Sequence, residues 1–144
     1  MGSLADAALE SGGEVVGVIT RHLVDRELAH HGLSSLQVVE DMHSRKAAMA
    51  ALAEGFIALP GGFGTLEELF EMLSWSQLGL HAQPVALLDV EAFWQPLLQF
   101  FDQQVEQGFL PRESRRRLLS DTDPRRLLEI MEEQRGRPFD RWMD

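Results

Sequence analysis

The sequence predicts an α/β fold: a doubly wound, Rossmann-like parallel sheet with helices on both faces. Three observations carry that expectation. Short apolar runs rich in β-branched residues recur at residues 14–19, 36–39, 56–59 and 84–89. Stretches of helical composition separate them, and strands alternating with helices build parallel sheets through crossover connections. A glycine-rich turn, Pro60-Gly61-Gly62-Phe63-Gly64-Thr65, joins the third run to the helix behind it. In such folds that turn lies at a strand's carboxyl end, where ligands bind.

The totals fit one domain. The chain has 144 residues, 44% hydrophobic and 25% charged, enough to bury a core. A single nucleotide-binding domain is expected over residues 1–135, with a tail at 136–144. The formal net charge of −10 argues against broad binding to nucleic acid or an anionic membrane. An anionic substrate therefore needs a local positive site set against the global field. With no cysteine there is no disulfide framework or thiolate chemistry, which suits the cytoplasm. No apolar run approaches membrane-spanning length.

Residues 4–10 (Leu-Ala-Asp-Ala-Ala-Leu-Glu) have helical composition, and Gly12-Gly13 stops them. Glu-Val-Val-Gly-Val-Ile at 14–19 reads as a strand buried on both faces. Residues 20–35 are polar, a loop carrying a short helix. A second strand at 36–39 precedes an alanine-rich helix within 41–55, with Ser44 as N-cap and Gly55 as the C′ residue. After the strand at 56–59, a helix is expected from Leu66 to about Leu78, with Leu66, Leu69, Phe70 and Leu73 on one face. Pro84 opens a fourth strand, and residues 93–106 form an amphipathic helix ended by Gly108. Residues 112–117 make one more helical turn, and Leu118-Leu119-Ser120 a short edge strand. Asp123-Pro124 opens the last helix as N-cap and N1 proline.

The chemistry concentrates in two stretches. Gly61, Gly62 and Gly64 with Thr65 make either a tight strand-to-helix turn or an anion site, where backbone and helix dipole meet a phosphate. The spacing is neither a Walker loop nor a dinucleotide fingerprint. Thr65-Leu66-Glu67-Glu68 fits a capping box, which makes Glu68 a helix stabiliser. Arg45 and Lys46 stand near a helix start, where positive charge opposes the dipole. They are either surface charges or reach toward an anion. Met42 either belongs to the core, its default reading, or lies against a ligand's flat face. His30, His31, His43 and His81 lack metal-ligand spacing, so no metal is expected. The Arg115-Arg116-Arg117 run reads as a solvated face.

Met42-His43-Ser44-Arg45-Lys46, followed by Pro60-Gly61-Gly62-Phe63-Gly64-Thr65-Leu66-Glu67-Glu68, resembles the paired signature of the Lonely Guy (LOG) family. The likeness continues through Trp75-Ser76-Gln77-Leu78-Gly79-Leu80-His81 and takes in Gly12 to Ile19, weakening after about Pro111. The family comprises cytokinin riboside 5′-monophosphate phosphoribohydrolases, older usage calling them possible lysine decarboxylases. No cofactor-binding lysine site is visible here, and no cofactor is expected.

The resemblance implies hydrolysis of a purine nucleoside 5′-monophosphate to free base and ribose 5-phosphate. It places the catalytic pair on Arg45 and Glu68. The phosphate falls to Gly61, Gly62, Gly64 and Thr65, with Met42 and Lys46 bordering the site. It also implies a homodimer, the helix after the motif contributing to the contact. Family members carry about one more strand–helix–strand unit ahead of this chain's first residue, so the chain is expected to be N-terminally shortened. The alternative from another class is a nucleotide- or molybdenum-cofactor-binding protein without turnover.

Overall fold

The computed structural model describes residues 2–24 and 32–135. The expected tail at 136–144, most of the loop after residue 24, and His30 and His31 lie outside the described residues. The chain divides into two compact units, Met1–Leu52 and Ala53–Asp144. All strand pairings among the described residues are parallel, as the strand–helix alternation predicts.

The first unit opens with α1 (Gly2–Glu10). The two glycines end it as expected. Gly12 takes a left-handed φ of +79°, and the Gly12 and Gly13 amides turn back to the carbonyls of Leu9 and Ala8, both at 2.9 Å. β1 (Val16–Thr20) leads into the short α2 (Arg21–Val24). β2 (Ser35–Val39) then pairs with β1, Val16 opposite Ser35 and Thr20 opposite Val39. β1 was expected to be buried on both faces, yet Val16 is exposed, as are Leu36 and Val38 on β2. The reason is that β1 and β2 form a two-stranded sheet, on which α2 and α3 (Met42–Leu52) pack.

The caps of α3 differ from expectation. The Asp41 carboxylate accepts the Ser44 amide at 2.7 Å, and the Arg45 amide bonds the Asp41 carbonyl at 3.0 Å. Asp41 is therefore the N-cap, and Ser44 stands three residues inside it. That amide bond, the largest influence on Asp41, holds its carboxyl below the ordinary range. Gly55 does not end the helix either. A Cβ there would lie 2.8 Å from Met131 Cε and 3.3 Å from Pro84 Cγ, so the glycine makes room for packing.

The second unit is built on the sheet order β3-β4-β5, comprising β3 (Phe56–Ala58), β4 (Val85–Leu88) and β5 (Leu118–Asp121). Phe56 faces Val85, and Val85 faces Leu118. Central β4 is the most buried strand, with Val85, Ala86 and Leu87 fully inside. The helices of this unit are α4 (Phe63–Gln77), α5 (Gln95–Glu106), α6 (Arg112–Arg117) and α7 (Pro124–Gln134). Leu127 and Met131 of α7 pack on Ala86, with Leu88, Leu119 and Ile130 around them.

On α4 the buried residues are Leu69, Met72 and Ser76, whereas Phe70 is exposed. The inward stripe is thus rotated from the expected one, and Phe70 lies at its margin, edge-on to Phe101 of α5 with centroids 5.9 Å apart. The arginine run is not uniformly solvated. Arg115 donates to Asp102 at 2.7 Å, and Arg117 lines a small cavity with Leu73, Ser76, Gln83, Val85, Ser114 and Gln134. Burial lowers the Arg117 pKa, and nearby Glu113 partly offsets this. Among the described residues, no helix is long and apolar enough to cross a membrane.

Candidate active site

The central feature is the passage from β3 into α4. β3 ends at Ala58, and the chain reaches Gly62, the N-cap of α4, in extended geometry (φ −96°, ψ −152°). The helix begins at Phe63, and its first backbone bond runs from the Leu66 amide to the Gly62 carbonyl at 3.1 Å. The expected start at Leu66 with Thr65 as N-cap is therefore corrected: Thr65 is the third helical residue. The capping box fails with it, because its geometry requires the threonine outside the helix. Glycine's poor helix propensity hides this start, although a glycine in the first turn breaks no helical hydrogen bond.

The consequence is an open helix end. The amides of Gly62, Phe63, Gly64 and Thr65 precede the first intrahelical bond, and the N-cap residue, a glycine, has no side chain to cap them. They carry the positive end of the dipole, a geometry that accepts a phosphate. Cβ atoms built on Gly62 and Gly64 would meet nothing within 4 Å, so the approach is clear. Gly61 is different. A Cβ there would lie 2.1 Å from Thr65 Oγ1 and 2.9 Å from its Cβ. The threonine side chain folds back onto the bare Cα of Gly61, which ties the turn to the first helical turn.

Glu68 lies one turn on from Gly64 and on the same side of α4. It is half-buried, whereas Glu67 is exposed. Glu68 is the sixth residue of the helix.

Asp89 closes the neighbouring strand. Ala58 faces Leu87 in register, so Asp89 stands level with Pro60. Its buried carboxylate accepts the Trp94 amide at 2.8 Å and the Gln95 side-chain amide. These bonds hold the turn Val90–Ala92, where Glu91 and Ala92 both take left-handed φ values, 53° and 60°. Sequence reading did not single out Asp89. Its signal is a carboxylate directly after an apolar strand, a place where only partnered charge is buried.

The remaining sequence-predicted residues lie in the first unit, on α3. Arg45 is half-buried, and its Nε donates to the Val18 carbonyl of β1 at 3.0 Å, which sets the guanidinium's orientation. Lys46 is buried. That is rare for an ammonium unless it has a purpose or a partner. Met42 is exposed, so it is not the core residue its default reading made it. The Asp41 carboxylate supplies the negative charge that this helix start favours, offsetting the cations that follow.

His81 is held from α4, where its ring Nε2 meets the Met72 carbonyl at 2.8 Å, and its ring tilts against Phe56 at 5.2 Å. Burial lowers its pKa, and the positive charge of Arg117 adds to this. Among the described residues, no group of His, Asp and Glu is gathered to hold a metal ion.

A family profile described as "Possible lysine decarboxylase" matches residues 1–131. The chain is 52% identical over 120 residues to a cytokinin riboside 5′-monophosphate phosphoribohydrolase of Rhodococcoides fascians, covering 83% of this chain and 61% of that protein. It is 44% identical over 133 residues to proteins of the same name from Oryza sativa subsp. japonica and Arabidopsis thaliana. Those alignments cover 92% of this chain and 55% and 62% of the two relatives. The chain therefore spans between 55 and 62% of the length of these curated relatives. The matched stretch contains both Met42–Lys46 and the open start of α4, and the chain belongs to the possible lysine decarboxylase family that includes the LOG phosphoribohydrolases.

Proposed function

We propose that this protein hydrolyses the N-glycosidic bond of purine nucleoside 5′-monophosphates, releasing free base and ribose 5-phosphate. The observation that carries the reading is the uncapped start of α4, with Glu68 half-buried one turn further on. The names of the relatives support it, each being a phosphoribohydrolase of a riboside 5′-monophosphate.

The 5′-phosphate binds the amides at Gly62, Gly64 and Thr65, with Gly61 keeping the turn tight. Departure of the base leaves positive charge on the sugar, which a carboxylate stabilises. Glu68 does this and orients the water that attacks C1′ as the bond to the purine breaks. The water's proton is removed, and the departing base takes up a proton. Arg45 holds the substrate and eases charge onto the leaving purine, while Lys46 and Met42 border the site. The protein works as a homodimer in the cytoplasm, without a metal or cofactor.

Glu68→Gln and Arg45→Ala test this through chromatographic detection of adenine released from AMP. Each is expected to lower the rate about 10²- to 10⁴-fold. Release near the wild-type rate in both variants would overturn the assignment. Running isopentenyladenosine monophosphate beside AMP reads the preference for a modified base. AMP binding by the wild type with no base release would favour a nucleotide-binding protein without turnover.

A further inference from the structure

Phe63 is the first residue of α4 and is 93% exposed, the most exposed of the large hydrophobic side chains among the described residues. Scattered exposed apolar residues are ordinary on a protein surface, so exposure alone says little. The position says more. Helical side chains lean toward the helix N-terminus. A side chain at the first helical position therefore projects past the helix end, beside the uncapped amides. Gly62 and Gly64 flank it, and apart from their chain neighbours and the helix's own backbone nothing lies within 4 Å of where a Cβ on either would be. The ring thus stands in open space at the edge of the anion site.

We propose that Phe63 is a specificity-determining residue of this site, an apolar wall against the nucleoside half of a bound nucleotide. The inference rests on the nucleotide reading given above. A phosphate on the amides at residues 62–65 presents its ester-linked sugar outward, away from the helix. The ring flanking those amides can cover that sugar and the flat purine beyond it. Covering apolar nucleoside surface is favourable, and a phenyl face against a purine adds stacking. Inorganic phosphate has no nucleoside and gains nothing from the ring.

Calorimetric titration with inorganic phosphate, ribose 5-phosphate and AMP tests this on the wild type, Phe63→Ala and Phe63→Leu. Phe63→Ala is expected to weaken AMP about tenfold while leaving phosphate unchanged. Ribose 5-phosphate should fall between them, and Phe63→Leu should recover part of the loss. Equal weakening of all three ligands overturns the proposal, because it marks a disturbed helix start. Unchanged AMP affinity overturns it too, including the case where Phe63→Ala alters the oligomeric state and the ring serves an interface. A wild type that binds phosphate but gains nothing from the nucleoside removes the nucleotide reading itself, a result distinct from a silent Phe63.

Discussion

Two helices of the second unit begin in opposite ways. At α7 the Asp123 carboxylate accepts the amides of Arg125 and Arg126 at 2.8 and 3.1 Å, so the protein satisfies its own helix end. At α4 the N-cap is Gly62, and no side chain takes that role. A cap is worth about 1 kcal/mol, and glycine in its place costs little. Leaving α4 uncapped thus weakens the fold slightly and keeps several amides facing outward together. Where stability is the only demand, the chain spends an aspartate on the helix start. Where we propose that an anion binds, it withholds one.

Exchanging the two arrangements gives the largest effect. Gly62 has extended geometry and open space around a Cβ, so an aspartate fits there. Gly62→Asp is expected to cap α4 as Asp123 caps α7, leaving thermal stability equal or higher. AMP affinity should fall about 100-fold, or near 2.7 kcal/mol, as a carboxylate occupies the amides and repels phosphate. Unchanged AMP affinity by calorimetry would remove the anion role of this helix end. The reciprocal change, Asp123→Ala, should cost about 1 kcal/mol in urea unfolding. It should leave AMP affinity as it was, and a loss of affinity there would break the contrast.

The smallest effect lies at the other end of α4. There the Leu80 amide bonds the Trp75 carbonyl at 2.9 Å, Gly79 takes a left-handed φ of +73°, and His81 bonds the Met72 carbonyl. Burial lowers the His81 pKa below its ordinary value of 6.5, with Arg117 adding repulsion, so the unfolded chain takes up this proton more readily. The contribution of the neutral ring is present above the ordinary value and is lost as pH falls through the lowered one. Melting temperature should therefore drop on acidification through that window, and less steeply in His81→Gln. Parallel pH profiles for the two proteins would show that His81 does not carry the effect.

Much of the fold was legible because strands and helices in this chain announce themselves with different periods. Each apolar run became a strand, and Asp123-Pro124 marked a helix start by side-chain chemistry that operates locally. The misplacements share a cause. At Ser44 and Thr65 a good capping residue lay inside a helix that had already begun, at Asp41 and Gly62 respectively. Propensity reads what a residue prefers, whereas the boundary depends on where the first backbone bond closes. Local composition makes Gly55 a helix terminator, but a Cβ there would crowd Pro84 and Met131, both distant in sequence. The residues of the proposed site, glycines, a threonine and a glutamate at fixed spacing, are picked out by the same kind of local signal as Asp123. The solvent-facing position of Phe63 and the carboxylate of Asp89 were not, because both depend on which side of an element ends up covered.

The contact between Gly61 and Thr65 also limits how this loop can change over evolutionary time. In this backbone a Cβ at 61 and the threonine side chain at 65 claim the same space, the would-be Cβ lying 2.1 Å from Oγ1. Residue 61 cannot be read as an independent letter. A mutation that adds a side chain at 61 meets a neighbour that must already have given way. Shortening 65 to alanine still leaves the Cβ contact at 2.9 Å. A step at 61 therefore passes through a crowded intermediate, whereas 65 can shorten alone while 61 remains glycine.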